Sequence, residues 1–293
     1  MHYQTRYRLS LYLLLLPFLT GVVLLVVVPA GLSFVLGFTA YDGLSPPVWR
    51  GLQNYCELAT ADLFRRAAVN SLIFLALTVP LRTLITLGLA LLLYRSRRGA
   101  QLYRAAIYLP TVVPGVAYAL IWLWILNPVY GPLNLILGAF GLPTAAWLVD
   151  PRTALPALAF AALFQIGEGF VVLIAGLRHI PNEYYDAAAI DGAGRMATFR
   201  YVTLPLIMPW LLLIIIRDMI ATTQNTFTPA LIMTGGGPYY ATLFLPLLMY
   251  QTAFDRFRFG EGAAMTVALF VGVGALIALI WRALGGWGYD DAV

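Results

Sequence analysis

Long apolar runs, each close to the length of a helix that crosses a bilayer, dominate the hydropathy pattern of this chain. Measured against the roughly 20 residues needed to cross a hydrocarbon core, they predict six helices, over residues 10–37, 68–94, 103–126, 155–177, 204–224 and 263–283. In lipid the backbone must satisfy its own polar groups, and the ten-residue alternation of a barrel strand is absent. The expected fold class is therefore all-α, a polytopic membrane protein built as a six-helix bundle. Between the fourth and fifth runs the pattern changes, and residues 180–203 form a polar, amphipathic stretch. Pro181 suits a first helical turn, Glu183 and Asp186 favour the positive end of the helix dipole, and Ala187, Ala188 and Ala189 continue the helix. Gly192 then ends it, and a second short helix over 195–202 leads into Leu204, Pro205 and the fifth span. One membrane domain, 1–293, with a jointed elbow at 180–203, is the organisation expected.

Composition agrees with this pattern and narrows the chemistry. At 61% hydrophobic and 11% charged residues the chain is too apolar for a soluble domain of 293 residues. The first run, which follows Arg6 and Arg8, is too long for a signal peptide's apolar region and is read as a retained span. Cys56 is the only cysteine and His2 and His179 the only histidines, which argues against a disulfide or a His/Cys metal site. All 18 basic residues are arginine, so neither a lysine-bearing P-loop nor a lysine Schiff base is available. If ATP drives this protein, another chain hydrolyses it; no cofactor is expected on this one, and no nucleic acid partner. With the N-terminus in the cytoplasm, ten loop arginines lie inside, including the cluster Arg95, Arg97, Arg98 and Arg104, against six outside. Both termini and the elbow are then cytoplasmic. Aromatics near predicted span ends, such as Trp122 and Trp124, suit interfacial belts.

Four ionisable residues interrupt the spans: Arg82, Glu168, Arg217 and Asp218. Each falls about 15–18 Å from the cytoplasmic end of its helix, so the two positive and two negative charges share one depth. Pairing is the economical solution, with Glu168 to Arg217 and Arg82 to Asp218 as the expected partners. Arg217 and Asp218 project about 100° apart, so each is expected to face another helix rather than its neighbour. They form either a structural network or part of a solute path. Beyond Asp218 the fifth run turns polar at Thr222, Thr223, Gln224, Asn225, Thr226 and Phe227, a mixture suited to hydroxyl-rich solutes. Gln165, Asn70 and Tyr118 are weaker candidates for that path.

The string Asp186-Ala187-Ala188, Asp191-Gly192-Ala193, Phe199, Leu204-Pro205 and Pro209 resembles the EAA loop of binding-protein-dependent ABC importer permeases. It is most similar to sugar permeases of the maltose and glycerol-3-phosphate type. Thr234-Gly235-Gly236-Gly237-Pro238 resembles a further segment of the same permeases, so the likeness covers most of the chain. One departure is Asp186, which stands where the family's string begins with glutamate. The resemblance implies a type I importer permease that forms half of a path for a carbohydrate or related polyol. Its implied partners are a second permease subunit (a different, homologous chain), two ATP-binding cassette subunits that carry ATP and Mg, an extracytoplasmic substrate-binding protein and membrane lipid. It also implies a bacterial or archaeal cell membrane and a coupling role for Glu183, Asp186, Ala187, Ala188, Asp191, Gly192, Leu204 and Pro205. The alternative is an ion-coupled secondary transporter that uses the mid-membrane carboxylates; an intramembrane enzyme lacks a catalytic constellation.

Overall fold

A computed structural model describes residues 2–95 and 99–284, so Arg97 and Arg98 of the arginine cluster lie outside the described residues. In chain order the elements are α1 (Leu11–Leu36), β1 (Thr39–Ala40), β2 (Val48–Trp49), α2 (Gln53–Thr60), α3 (Asp62–Leu93), α4 (Ala100–Val112), α5 (Gly115–Ile125), α6 (Pro132–Ala139), α7 (Pro151–Ala162), α8 (Gly167–His179), α9 (Asn182–Ile190), α10 (Arg195–Thr234), α11 (Leu245–Tyr250) and α12 (Phe259–Leu284). Four of these, α1, α3, α10 and α12, are long and apolar enough to cross a membrane unaided. The six-span count is reached only when two bent pairs are each taken as one span.

Those pairs correct the expectation of six continuous helices. Helices α4 and α5 meet at 101°, and α7 and α8 at 47°. At the first break Pro114 has no N–H to give the helix and holds Val113 in an extended conformation (ψ 127°), so the predicted helix over 103–126 splits. The second break spans residues 163–166. Its freed backbone groups find side chains: Tyr118 Oη donates to the Ala161 carbonyl at 2.6 Å, the Arg82 guanidinium donates to the Gln165 carbonyl, and the Gly167 N–H donates to Thr111 Oγ1 at 3.0 Å. Irregular backbone at membrane depth survives only when it is satisfied in this way.

The chain divides into two compact units. In the first, residues up to Asp62 together with Met249–Val271, β1 and β2 pair antiparallel in the register Thr39 to Trp49 and Ala40 to Val48. Buried Asn54 fastens this turn, donating at 2.9 Å to the carbonyls of both Gly37 and Thr39. In the second unit, Leu63–Leu248 with the residues from Gly272 on, one buried cluster joins α3, α8 and α10 through Ala90, Phe170, Leu173, Ile207 and Ile214. A smaller cluster joins α3, α10 and the end of α12. Trp122 departs from the belt expectation: it is buried and packs edge-to-face against Phe160 and tilted against Phe164, at centroid distances of 5.7 and 5.1 Å. Along α3, the buried Thr78, Thr83 and Thr86 return their hydroxyls to carbonyls one turn back, which satisfies them within the helix.

Candidate functional site

The elbow forms as its local sequence dictates. Pro181 is the N-cap of α9, one position before the first turn where it was expected. After Ile190 the chain reverses at Gly192, whose φ of +75° lies in the left-handed region. The Gly192 N–H donates to the Ala189 carbonyl at 3.1 Å and the Ala193 N–H to the Ala188 carbonyl at 2.9 Å, the paired bonds of a glycine-terminated helix. Tyr185 and Ala188 face inward, Tyr185 onto the cluster beside Leu204 and within 3.4 Å of the Thr203 hydroxyl. Glu183, Asp186, Ala187 and Asp191 face outward. Beside them stand apolar side chains with no cover, Ile190 at 86% exposed and Met196 at 76%. Leu204 and Pro205 lie inside α10 and are partly buried, Leu204 against the cluster of α3, α8 and α10. Pro205 cannot donate to Tyr201, and the turn 199–203 widens to a π-helix in which the Leu204 N–H reaches Phe199.

Helix α10 is longer than the predicted fifth span. It continues through Thr226 to Thr234, so the polar run obeys helical spacing instead of acting as a block. Thr222, Asn225 and Thr226, with Pro229 and Met233, face a cavity of about 250 Å³ within the second unit. Thr223, Gln224 and Phe227 do not line it; Thr223 donates its hydroxyl to the Met219 carbonyl one turn back. Gln165, Glu168 and Arg217 line the same space, together with Tyr118 and Thr111 from the broken third span. Asn70 lies elsewhere. With Arg66 it supports the segment after the triple glycine, donating to the carbonyls of Tyr240 and Leu243. Thr111 escaped the sequence reading; the signal was Pro110 and Pro114, which mark a broken helix and therefore a packed or cavity-lining one.

The four mid-membrane charges form one chain. Arg217 pairs with Glu168, as expected, and Arg82 Nε stands 3.7 Å from Asp218 Oδ2. Arg217 Nη1 also bonds Asp218 Oδ1 at 3.1 Å, which corrects the expectation that these neighbours look apart: the long arginine stem folds back across the 100° between them. The order is Glu168, Arg217, Asp218, Arg82, with the signs alternating. Burial splits this chain in two. Arg82 and Asp218 are buried, and Arg82 is further held by Thr222 Oγ1 at 3.4 Å and the Gln165 carbonyl. The Arg217 and Glu168 side chains are 36% and 47% exposed, and both line the cavity.

Small residues set the distances between these helices. A Cβ on Gly167 would lie 2.5 Å from Thr111 Oγ1 and 2.9 Å from Tyr108 Cα, so α8 touches α4 only because the side chain is absent. Gly167→Val is expected to separate the two helices and cost about 1–3 kcal/mol, read as a lower midpoint of thermal unfolding in detergent. Gly169→Ala meets Ile214 Cγ2 at 3.3 Å, a contact a side chain can yield, and should cost less.

Residues 82–284 match the family described as binding-protein-dependent transport system inner membrane component. Over 285 residues the chain is 33% identical to the "Probable ABC transporter permease protein YesP" of Bacillus subtilis, covering 96% of this chain and 92% of that protein. Over 282 residues it is 34% identical to the diacetylchitobiose uptake system permease protein NgcF of Streptomyces coelicolor, covering 90% and 80%. A solved bacterial ABC transporter that imports the acidic polysaccharide alginate contains a chain of the same fold, with a TM-score of 0.80 at 20% identity, covering 94% of this chain and 95% of that one.

Proposed function

The chain belongs to the binding-protein-dependent transport system inner membrane component family, a multi-pass cell-membrane component of ABC transporters, and from that premise we propose that it forms half of the path by which a carbohydrate or related polyol enters the cell. The observation that carries this reading is the continuity of α10. One 40-residue helix, about 60 Å long, begins at the uncovered elbow and passes the cavity residues Thr222, Asn225 and Thr226 before it ends at Thr234. Force applied at Arg195–Thr203 therefore reaches the cavity wall along one helix, through the π-helical turn at Phe199–Thr203.

Two ATP-binding cassette subunits supply that force and carry the ATP and Mg chemistry. The elbow seats in a groove on one of them, Ile190 and Met196 filling apolar contacts and Glu183, Asp186 and Asp191 meeting cationic side chains. This places the elbow and both termini in the cytoplasm. Helix α1, with no buried residue among those described, offers its surface to lipid and to a second, homologous permease subunit. An extracytoplasmic binding protein delivers the solute. The ion-coupled carrier loses its motive, because each mid-membrane acid has an arginine partner. Purification from native membranes should yield this chain with an ATPase and a second permease, and proteoliposomes holding the set should take up labelled diacetylchitobiose or maltose only when ATP is enclosed with the ATPases. Uptake by this chain alone on a proton gradient would refute the reading.

A further inference from the structure

We propose that the Glu168–Arg217 pair sets the charge selectivity of the cavity, so that it accepts uncharged sugars and excludes anionic ones. The inference rests on the carbohydrate reading above and specifies the class of sugar. The fold alone leaves this open, since it also serves an importer of the acidic polysaccharide alginate. The charged residues lining the cavity are Arg82, Glu168 and Arg217. Arg82 has its charge matched by Asp218, with Nε 3.7 Å from Oδ2 and not hydrogen-bonded, while the rest of its guanidinium is taken up by Thr222 Oγ1 and the Gln165 carbonyl. Arg217 is the cation a carboxylate or phosphate would seek, and it is held between Glu168 and Asp218. An entering anion must compete with two carboxylates already in place while facing the half-exposed charge of Glu168. A neutral sugar meets no such opposition, and its hydroxyls find Asn225, Gln165 and the free edge of Glu168. Like charges brought together are a device for rejecting wrong partners.

The test uses the permease assembly in lipid nanodiscs without its binding protein, whose own preference would otherwise mask the cavity's. The probes are labelled methyl glucoside and methyl glucuronide, alike except for the carboxylate, measured by equilibrium retention at pH 7. Wild type should prefer the glucoside. Glu168→Gln frees one side of Arg217 and should shift the ratio toward the glucuronide by about tenfold or more, whereas Arg217→Gln leaves Glu168 unopposed and should shift it the other way. Glu168→Asp should keep the wild-type preference. A purely structural pair, broken from either end, would move both variants in the same direction or neither; with glucoside retention by wild type intact, that result overturns the inference alone. Retention of neither sugar by wild type would overturn the carbohydrate reading and the inference with it.

Discussion

Asp218→Leu is expected to cost the membrane domain about 3–5 kcal/mol, the penalty of leaving a buried charge without its partner. Asp218 is the carboxylate shared by Arg82 and Arg217, and removing it leaves Arg82 buried with a carbonyl and a hydroxyl but no opposite charge. Arg217 still has Glu168, so the damage concentrates at Arg82. The double variant Arg82→Leu/Asp218→Leu removes one charge of each sign and keeps the Glu168–Arg217 pair. It should recover most of the loss, short of about 1–3 kcal/mol because the Gln165 carbonyl in the fourth-span break then has no donor. Thermal unfolding of the purified assembly, with expression yield alongside, measures both. A double variant no more stable than the single one would show that the buried half of the charge chain is not a matched pair.

Gly192→Pro should break transport while leaving the protein in the membrane. At φ +75° the glycine pays little for a left-handed turn, an L side chain costs about 1–2 kcal/mol there, and proline, fixed near −65°, cannot adopt it at all. Proline also removes the N–H that closes α9 onto the Ala189 carbonyl. Space is not the obstacle, since nothing lies within 4 Å of a Cβ at this position. The expected series follows from backbone conformation alone: Gly192→Asn near wild type, Gly192→Ala intermediate, and Gly192→Pro with uptake in proteoliposomes down more than about tenfold while ATP hydrolysis continues. Asp186→Lys, which reverses the charge on the exposed face without touching the turn, should uncouple in the same sense. Full sugar uptake by Gly192→Pro would mean that the bend between α9 and α10 transmits nothing.

Local features were legible from the order of residues. The elbow was readable because its determinants are neighbours: a proline at the start, an acid in the first turn, alanines, then a glycine where the helix must stop. It differs from expectation at Pro181, which is one residue earlier at the cap, and at its second helix, which runs on into the fifth span. The charge pairs Glu168–Arg217 and Arg82–Asp218 were readable because a charge at membrane depth leaves few options and the signs matched. The polar run after Asp218 was harder. Read as a block it offered six candidates, of which Thr222, Asn225 and Thr226 line the cavity and Thr223, Gln224 and Phe227 do not. The periodicity was present, but using it required knowing that the helix continued past Asn225.

The sequence by itself determined that this is a helical membrane protein, where its apolar runs fall, that an amphipathic elbow separates the fourth from the fifth, and which ionisable groups must find partners in lipid. Those outcomes follow from hydration and chain-local geometry, which act over a few residues. Tertiary structure decided what depends on which helices meet: the 101° and 47° breaks, the second tolerated because Tyr118, Arg82 and Thr111 arrive from elsewhere to satisfy the opened backbone. It also decided that Arg217 reaches both Glu168 and its own neighbour, and that one half of the charge chain is buried while the other is partly exposed. Burial belongs to the neighbours a side chain acquires, and no local pattern specifies them.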